Sequence, residues 1–481
     1  MASSFGGINT ALTSLYAQRR GLDVTGQNIA NANTEGYTRQ RVEMQSQVGS
    51  LSAARYAIAD GLGTGVAVSD VQRLRDEYLE NRGRAEHSAN SFTVAQSAAY
   101  TSIEDAFAEP SNTALAAQLR DMWGSWNDVA NNPQLAAPRS ALIQQSSTVA
   151  DQLNAAQDSL ARQWSQNRNQ MAAYVDEVNG TANSIAQLND SIVKANASDL
   201  TVNELEDRRD VLAMRLAELT GATAAKRENG GMDVFIGGST LVSGTYVREV
   251  DFVGVDRLKD QLAAVPGTEV KLVWKNEPDP KTALDAGGTM GAAVETMTRT
   301  IPDLSTKLES VTTNMINTVN GLHRAGHGIG VAPDPTIPGD PGTPGATGLD
   351  FFGRAGDGSV IVLIDDPDDV AVSATSGTLD NSVAEQIADI GDLSGGPDRE
   401  YQSMIGQLGV SSQGAARRAE IQGVVTEQVD AAREGQAGVN LDEEMTNLLT
   451  YQRGYEAASR VLTTIDSMLD QLINRTGLVG R

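Results

Sequence analysis

Two stretches of the chain carry a sustained helical repeat, and they lie at opposite ends. Between 441 and 473 apolar side chains fall at Leu441, Met445, Leu448, Tyr455, Leu462, Ile465, Leu469 and Leu472. With Gln452 and Ala458 counted in the same line, every step is three or four residues, the seam of a coiled coil. A helix of this length is about 50 Å long and needs a long partner. The N-terminus supplies one: Phe5, Ile8, Leu12, Leu15, Leu22 and Ile29 repeat at near-heptad spacing, with Arg19 and Gly26 in the gaps. That helix is predicted to stop at NANTEGY, where Asn33 and Gly36 accept a left-handed backbone.

From Tyr37 to Val71, alternation and glycine predict extended segments and turns leading into a helix near Asp70. Residues 73–220 read as helix, with Pro110, Pro133 and Pro138 at helix starts. Pro138 to Asn196 forms one long helix or two abutting ones, and Thr201 with Glu204 forms a capping box for a helix that closes at Gly221. Short alternating runs between glycine turns then predict a small antiparallel β domain over 222–285. Helix resumes from Gly288 to Leu322. The Gly/Pro-rich 325–349 reads as an exposed extended loop, too short in collagen-like triplets for a triple helix. SVIVLID reads as a strand joining the β domain, and helix returns from Ser382 with breaks at GDLSGGPD and Gly435–Gly438.

The predicted fold is mainly α with a β insertion. A terminal coiled-coil helix pair comes from 1–36 and 439–481. A rod-like helical bundle comes from 37–221, 286–324 and 376–438. The β domain is 222–285, with 325–375 contributing the loop. This nesting puts both termini at one end of a rod.

Charge narrows the function. A net charge of -25 argues against nucleic acid and anionic membrane surfaces, which demand basic patches. With no cysteine there is no disulfide, thiolate catalysis or cysteine metal site. No apolar run of about 18 residues exists, and the N-terminus lacks the basic region and apolar block of a cleavable signal.

Candidate chemistry is sparse. His323 and His327 are four apart, but Gly326, Gly328 and Gly330 break any helix there and no HExxH pattern follows, so no zinc site is expected. Asp365, Asp366, Asp368 and Asp369 lack the EF-hand pattern and read as a solvated turn. Phosphate-binding loops and nucleophile elbows are missing. Neither catalytic residues nor a cofactor are expected. Trp123 and Trp126 share a helix face and read as core. Asn28, Asn31 and Asn33, with Gly36 and Tyr37, form an unusually polar helix end suited to specific hydrogen bonds with a neighbour.

At these residues a family resemblance enters. DVTGQNIANANTEGYTRQ (Asp23 to Gln40) resembles the N-terminal signature of bacterial flagellar axial proteins, and Val439 to Ile473 resembles their C-terminal signature. The GYTRQ and GVNLDEE spellings, and Gly287 to His327, are similar to the FlgK family of hook-associated proteins rather than to hook subunits. The resemblance implies a structural subunit, not an enzyme, in a helical or ring-like tier joining hook to filament outside the cell. It implies type III export by an uncleaved signal. Implied partners are other copies of the chain, the hook protein, a second junction protein of the FlgL type, and an export chaperone of the FlgN type on the C-terminal helix. In this reading the terminal seam is the functional site, and Gln452 and the Asn-rich end set its register as buried polar groups. The alternatives are another axial subunit (hook or distal rod) and, more distantly, an extracellular hydrolase on a helical stalk.

Overall fold

The computed structural model describes residues 4–474 except 48–62, 199, 264, 279–280, 331–335, 337–344 and 379. Most of the expected Gly/Pro-rich loop therefore lies outside the described residues.

The chain begins with α1 (Ser4–Ala30) and an antiparallel hairpin of β1 (Gln40–Gln47) and β2 (Gly65–Arg73). Then come α2 (Glu77–Phe107), α3 (Leu115–Asn131), α4 (Ala136–Asn196) and α5 (Asn203–Thr220). Strands β3 (Thr223–Lys226), β4 (Met232–Ile236), β5 (Ser239–Ser243) and β6 (Tyr246–Val247) form one sheet in chain order. Strand β7 (Val250–Val253), the short α6 (Leu258–Leu262) and β8 (Lys271–Trp274) follow, β7 pairing with β8. Helix α7 (Gly288–Glu295) passes through a π-helical turn into α8 (Ile301–Ala325). The hairpin of β9 (Phe352–Arg354) and β10 (Val360–Val362) precedes α9 (Ser382–Ala388), α10 (Pro397–Ala437) and α11 (Leu441–Asn474).

The spine is α4, whose 61 residues extend about 90 Å. Leu142, Val149, Leu153, Leu160, Trp164, Met171, Val178, Ile185 and Ile192 make its buried face. The N-terminal half packs against α3, α8 and the β9–β10 hairpin, and the C-terminal half carries the β domain. Trp126 is fully buried among His323 and Phe351. At the π turn, Ile301 N–H reaches back to Thr296 O. Met297 O then falls opposite Pro302, which has no N–H to give. The Trp164 indole donates to that carbonyl instead, at 2.9 Å.

Small sheets are fastened to helices by asparagine. Asn189 Nδ2 donates to Met232 O at 2.8 Å while its Oδ1 accepts from Met232 N at 2.9 Å. Asn179 does the same to Val250 (2.9 and 2.9 Å), Asn154 to Val360 (2.9 and 2.8 Å), and Asn320 to Phe352 (2.8 and 2.9 Å). Asn28 treats Gln40 likewise, at 2.9 and 3.0 Å. Each target is the first residue of its strand. The side-chain amide thus supplies both bonds that a neighbouring strand would make.

Several local expectations are corrected. Asp70 lies in β2, and the next helix starts at Glu77, where the Asp76 side chain accepts from Tyr78 and Leu79 N–H. Thr201 does not cap α5: Val202 occupies the cap position, and Glu204 accepts instead from Gln27 of α1. Pro110 follows a cis bond and precedes α3 by several residues. Asn33 is not left-handed; Gly36 alone of the two takes positive φ, at 77°. The SVIVLID strand does not join the β domain, because β9 pairs with it and Asn154 of α4 fastens its start.

Candidate assembly interface at the terminal helices

The closest approach of α1 and α11 runs along small and polar residues. Gly7 faces Ile465, Gly21 faces the Tyr451 ring, Gly454 faces Gln18, and Asn28 donates to Glu444 at 3.0 Å. These contacts hold one antiparallel register, rising along α1 by the same steps as they fall along α11. On α1 the line is Gly7, Ala11, Ser14, Gln18, Gly21, Thr25 and Asn28, alternating steps of four and three. A Cβ on Gly21 would lie 2.7 Å from the Tyr451 ring, and one on Gly454 2.7 Å from Gln18. Small side chains are what allow this approach.

The apolar line read from the sequence is therefore displaced from the contact line. Ile8, Leu15, Leu22 and Ile29 flank it half-buried, and Leu12 is 40 % exposed. On α11, Leu448, Leu462, Ile465 and Leu469 are half-buried and Ala458 is buried. Leu441, Met445 and Tyr455 are exposed, at 50 %, 51 % and 41 %. Gln452 is exposed in the single chain too; among the described residues of α11 the buried polar one is Glu444. Phe5 and Leu472 fall outside the residues whose side chains are described.

The polar end gathers around Asn28, which is 1 % exposed. Tyr37 Oη donates to Asn28 Oδ1 at 2.8 Å, and Arg39 pairs with Glu444 and Glu443, each at 2.7 Å. Burial, then the carboxylates of Asp207, Glu444 and Glu204, push the Tyr37 phenol well above its ordinary range. Arg39 N–H donates to Ala437 O at 2.9 Å, sewing this loop to the end of α10. Asn31 stays within its own turn, bonding Gln27 O and Thr34, and Asn33 is exposed. A Cβ on Gly36 would lie 2.2 Å from Val211, so this glycine lets the loop close on α5.

Behind the knot lies an ionic joint. Arg73 pairs with Glu206 at 2.6 Å, Asp207 at 2.8 Å and Asp210 at 2.9 Å. Arg75 bridges Asp210 and Glu80, and Arg433 joins Glu80 to Asp430 at 2.9 and 2.8 Å. His87 meets Asp430 at 2.9 Å and Glu218 at 3.5 Å. Together these tie β2, α2, α5 and α10. Burial opposes ionisation of Glu80, yet Arg433 and Arg75 hold it below the usual carboxylate range. Asp210 is likewise held down by Arg75 and Arg73 against its burial. His87 is raised, by Glu218 first and then Asp430, with burial opposing.

A family profile described as the flagellar hook-associated protein FlgK helical domain matches residues 100–336. A flagella basal body rod protein profile matches 8–38, and the C-terminal profile of the flagellar basal body rod FlgEFG proteins matches 435–475. Flagellar hook-associated protein 1 of Bacillus subtilis is 27 % identical over 532 residues, covering 100 % of both chains. The namesake from Escherichia coli is 26 % identical, covering 97 % of this chain and 99 % of its own.

Along its whole length the chain is similar to the FlgK family of flagellar hook-associated proteins.

The flagellar hook junction protein FlgK from Burkholderia pseudomallei shares the fold, with TM-score 0.59 at 14 % identity, over 74 % of this chain and 99 % of that one. The two terminal profiles fall on α1 with its polar knot and on α11, the elements whose geometry is described above.

The other candidates are structural. His323 is buried, with Nδ1 2.8 Å from Leu349 O and Nε2 accepting from Ala371 N at 3.0 Å. Both nitrogens are occupied, and burial lowers its pKa. Asp366 caps the turn Pro367–Asp369. Among the described residues no group of three or more His, Cys, Asp or Glu could hold a metal. Trp123 Nε1 donates to buried Asp398 at 2.7 Å, and burial raises that carboxyl despite the bond. Sequence reasoning missed the contact line Gly7–Ala11–Ser14–Gln18–Gly21, whose heptad spacing was legible but whose residues carry little hydropathy. It also missed Glu444 and the joint, where Arg73 and Asp207 lie 134 positions apart and Arg433 and Glu80 lie 353 apart.

Proposed function

We propose that this chain is a structural subunit of the bacterial flagellum, forming a tier at the junction of hook and filament. The observation that carries this reading is the unfinished surface of α11. Leu441, Met445, Leu449, Val461 and Met468 are each about half exposed on a helix whose other side already holds α1. Their surface is the ground on which copies of the chain meet. The half-buried flank at Leu448, Leu462, Ile465 and Leu469 is closed by the same neighbours.

In this role the subunit acts by position rather than by chemistry. Its immediate partners are further copies of itself, the hook protein on one side and a second junction protein of the FlgL type on the other. A chaperone of the FlgN type holds α11 before export, and the chain leaves the cell by the flagellar type III route without cleavage. The contact line between α1 and α11 is too poor in large side chains to order both helices firmly by itself, so they become rigid on assembly.

The test is a Met445→Asp, Leu449→Asp double variant. Both positions face outward, so the purified protein keeps its melting temperature, while cells secrete flagellin into the medium and bear hooks without filaments. Normal filaments in that strain would refute the role given to this face.

A further inference from the structure

Arg84 of α2 is 6 % exposed, yet it pairs with no carboxylate among the described residues. Its Nη2 donates to Asn81 Oδ1 at 2.7 Å, and its Nε has no hydrogen-bond partner. The carboxylates nearby are already shared: Asp210 serves Arg73 and Arg75, and Glu80 serves Arg75 and Arg433. A buried cation left in this state is costly until an anion reaches it. Burial lowers the Arg84 pKa, with Arg75 and Arg433 adding to the effect and Asp210 and Glu80 opposing it.

Arg84 lines an open cleft of about 630 Å³ between β2, α2, the α4–α5 turn and the start of the β domain. The other cations there are satisfied: Lys226 by Glu206 at 2.9 Å and Arg227 by Asp233 at 2.7 Å. Asp70, Glu77 and Glu228 also line it, without ion pairs of their own among the described residues. They repel a lone carboxylate less than a free polyanion, and a carboxylate held on a docked protein surface arrives at a high local concentration that offsets this. The cleft adjoins the hairpin that lies along α1, so it continues the proposed interface. With 62 Asp and Glu residues, each copy of the chain can present such a group.

We propose that Arg84 receives a carboxylate side chain from a second copy of this chain when the tier assembles. The inference rests on the functional reading above. Arg84→Met keeps the aliphatic stem and removes the charge. Its purified form should melt at the wild-type temperature or above it, while filament-bearing hooks fall at least tenfold; Arg84→Lys should recover part of the loss. Wild-type assembly by Arg84→Met would overturn the proposal. So would an assembly loss that only tracks a lower melting temperature. A second measurement does not depend on the folding of that variant. The chain has no cysteine, so Thr201→Cys places a single thiol at the cleft. Labelling by a maleimide in the free protein, with protection in isolated hook–filament preparations, supports a covering neighbour; equal labelling overturns it. If the unsubstituted chain is missing from those preparations, the functional reading itself falls, whatever Arg84 does.

Discussion

The terminal helix pair and the helical rod use the same element and hold together for opposite reasons. In the rod the largest side chains are innermost: Trp126 and Trp164 are 0 % exposed, and Leu142, Leu160 and Met171 fill the space between helices. In the pair the buried residues are mostly small or polar (Ala11, Ala17, Gly21, Thr25, Asn28, Glu444 and Ala458), while Tyr16 and Met468 stand 64 % and 57 % exposed. Burial of apolar area is the main favourable term in folding. The rod therefore carries its own stability, and the pair carries a register with its apolar surface still on offer. A helix pair packed on glycine and alanine is the fit of half an interface, not of a core.

The comparison can be broken at several points. The largest effect on stability is expected at the rod: Trp126→Ala should cost about 3–5 kcal/mol, read as a lower denaturation midpoint. A smaller loss of either magnitude or cooperativity would mean that the core lies elsewhere. Asn189→Ala should cost about 1–3 kcal/mol by orphaning Met232 N–H and C=O, and amides of β4 should lose exchange protection before those of α4. Gly454→Val, which drives a side chain into Gln18, should leave the midpoint within about 0.5 kcal/mol but reduce protection along α1 and α11. If it lowered the midpoint as much as Trp126→Ala, the two regions would be one cooperative unit.

The smallest effect is a pH dependence. His87 titrates above its unfolded value, so its contribution is fully present below about pH 6.5 and is lost as pH rises through the folded value. His87→Gln should flatten that part of the stability profile and leave the acid limb intact. The acid limb has the opposite sign: Glu80 and Asp210 titrate below their unfolded values, and their contribution is lost as pH falls through the folded ones. An unchanged neutral limb in His87→Gln would remove His87 from the joint.

Much of the architecture was legible in the sequence because long repeats are. Both terminal helices, the 61-residue spine and the change to short strands after Gly221 follow from periodicity and glycine. What failed was facing and pairing. The eye follows Leu12 and Met445, whereas the chain packs on Gly7, Gly21 and Gly454, where the absence of a side chain is the signal. Thr201 and Glu204 have the spacing of a capping box, but spacing does not set the backbone angle that a cap requires. The strand at Val360 was readable and its partner was not, since that depends on where the chain returns. The joint was invisible for a similar reason: Arg73 and Arg433 mean nothing until the fold sets them beside Asp210 and Glu80.

The asparagine fasteners have a consequence for a protein that works in crowds of its own copies. Two-stranded ribbons are marginal in water, and their free edges invite strands from other molecules. The ribbons β1–β2, β7–β8 and β9–β10 are of that kind. At Gln40, Val250, Phe352 and Val360 the place of the next strand is already taken by an amide carried on a helix. Each amide blocks the point where a templated, amyloid-like addition would begin. Copies packed side by side then meet with those strand starts already occupied.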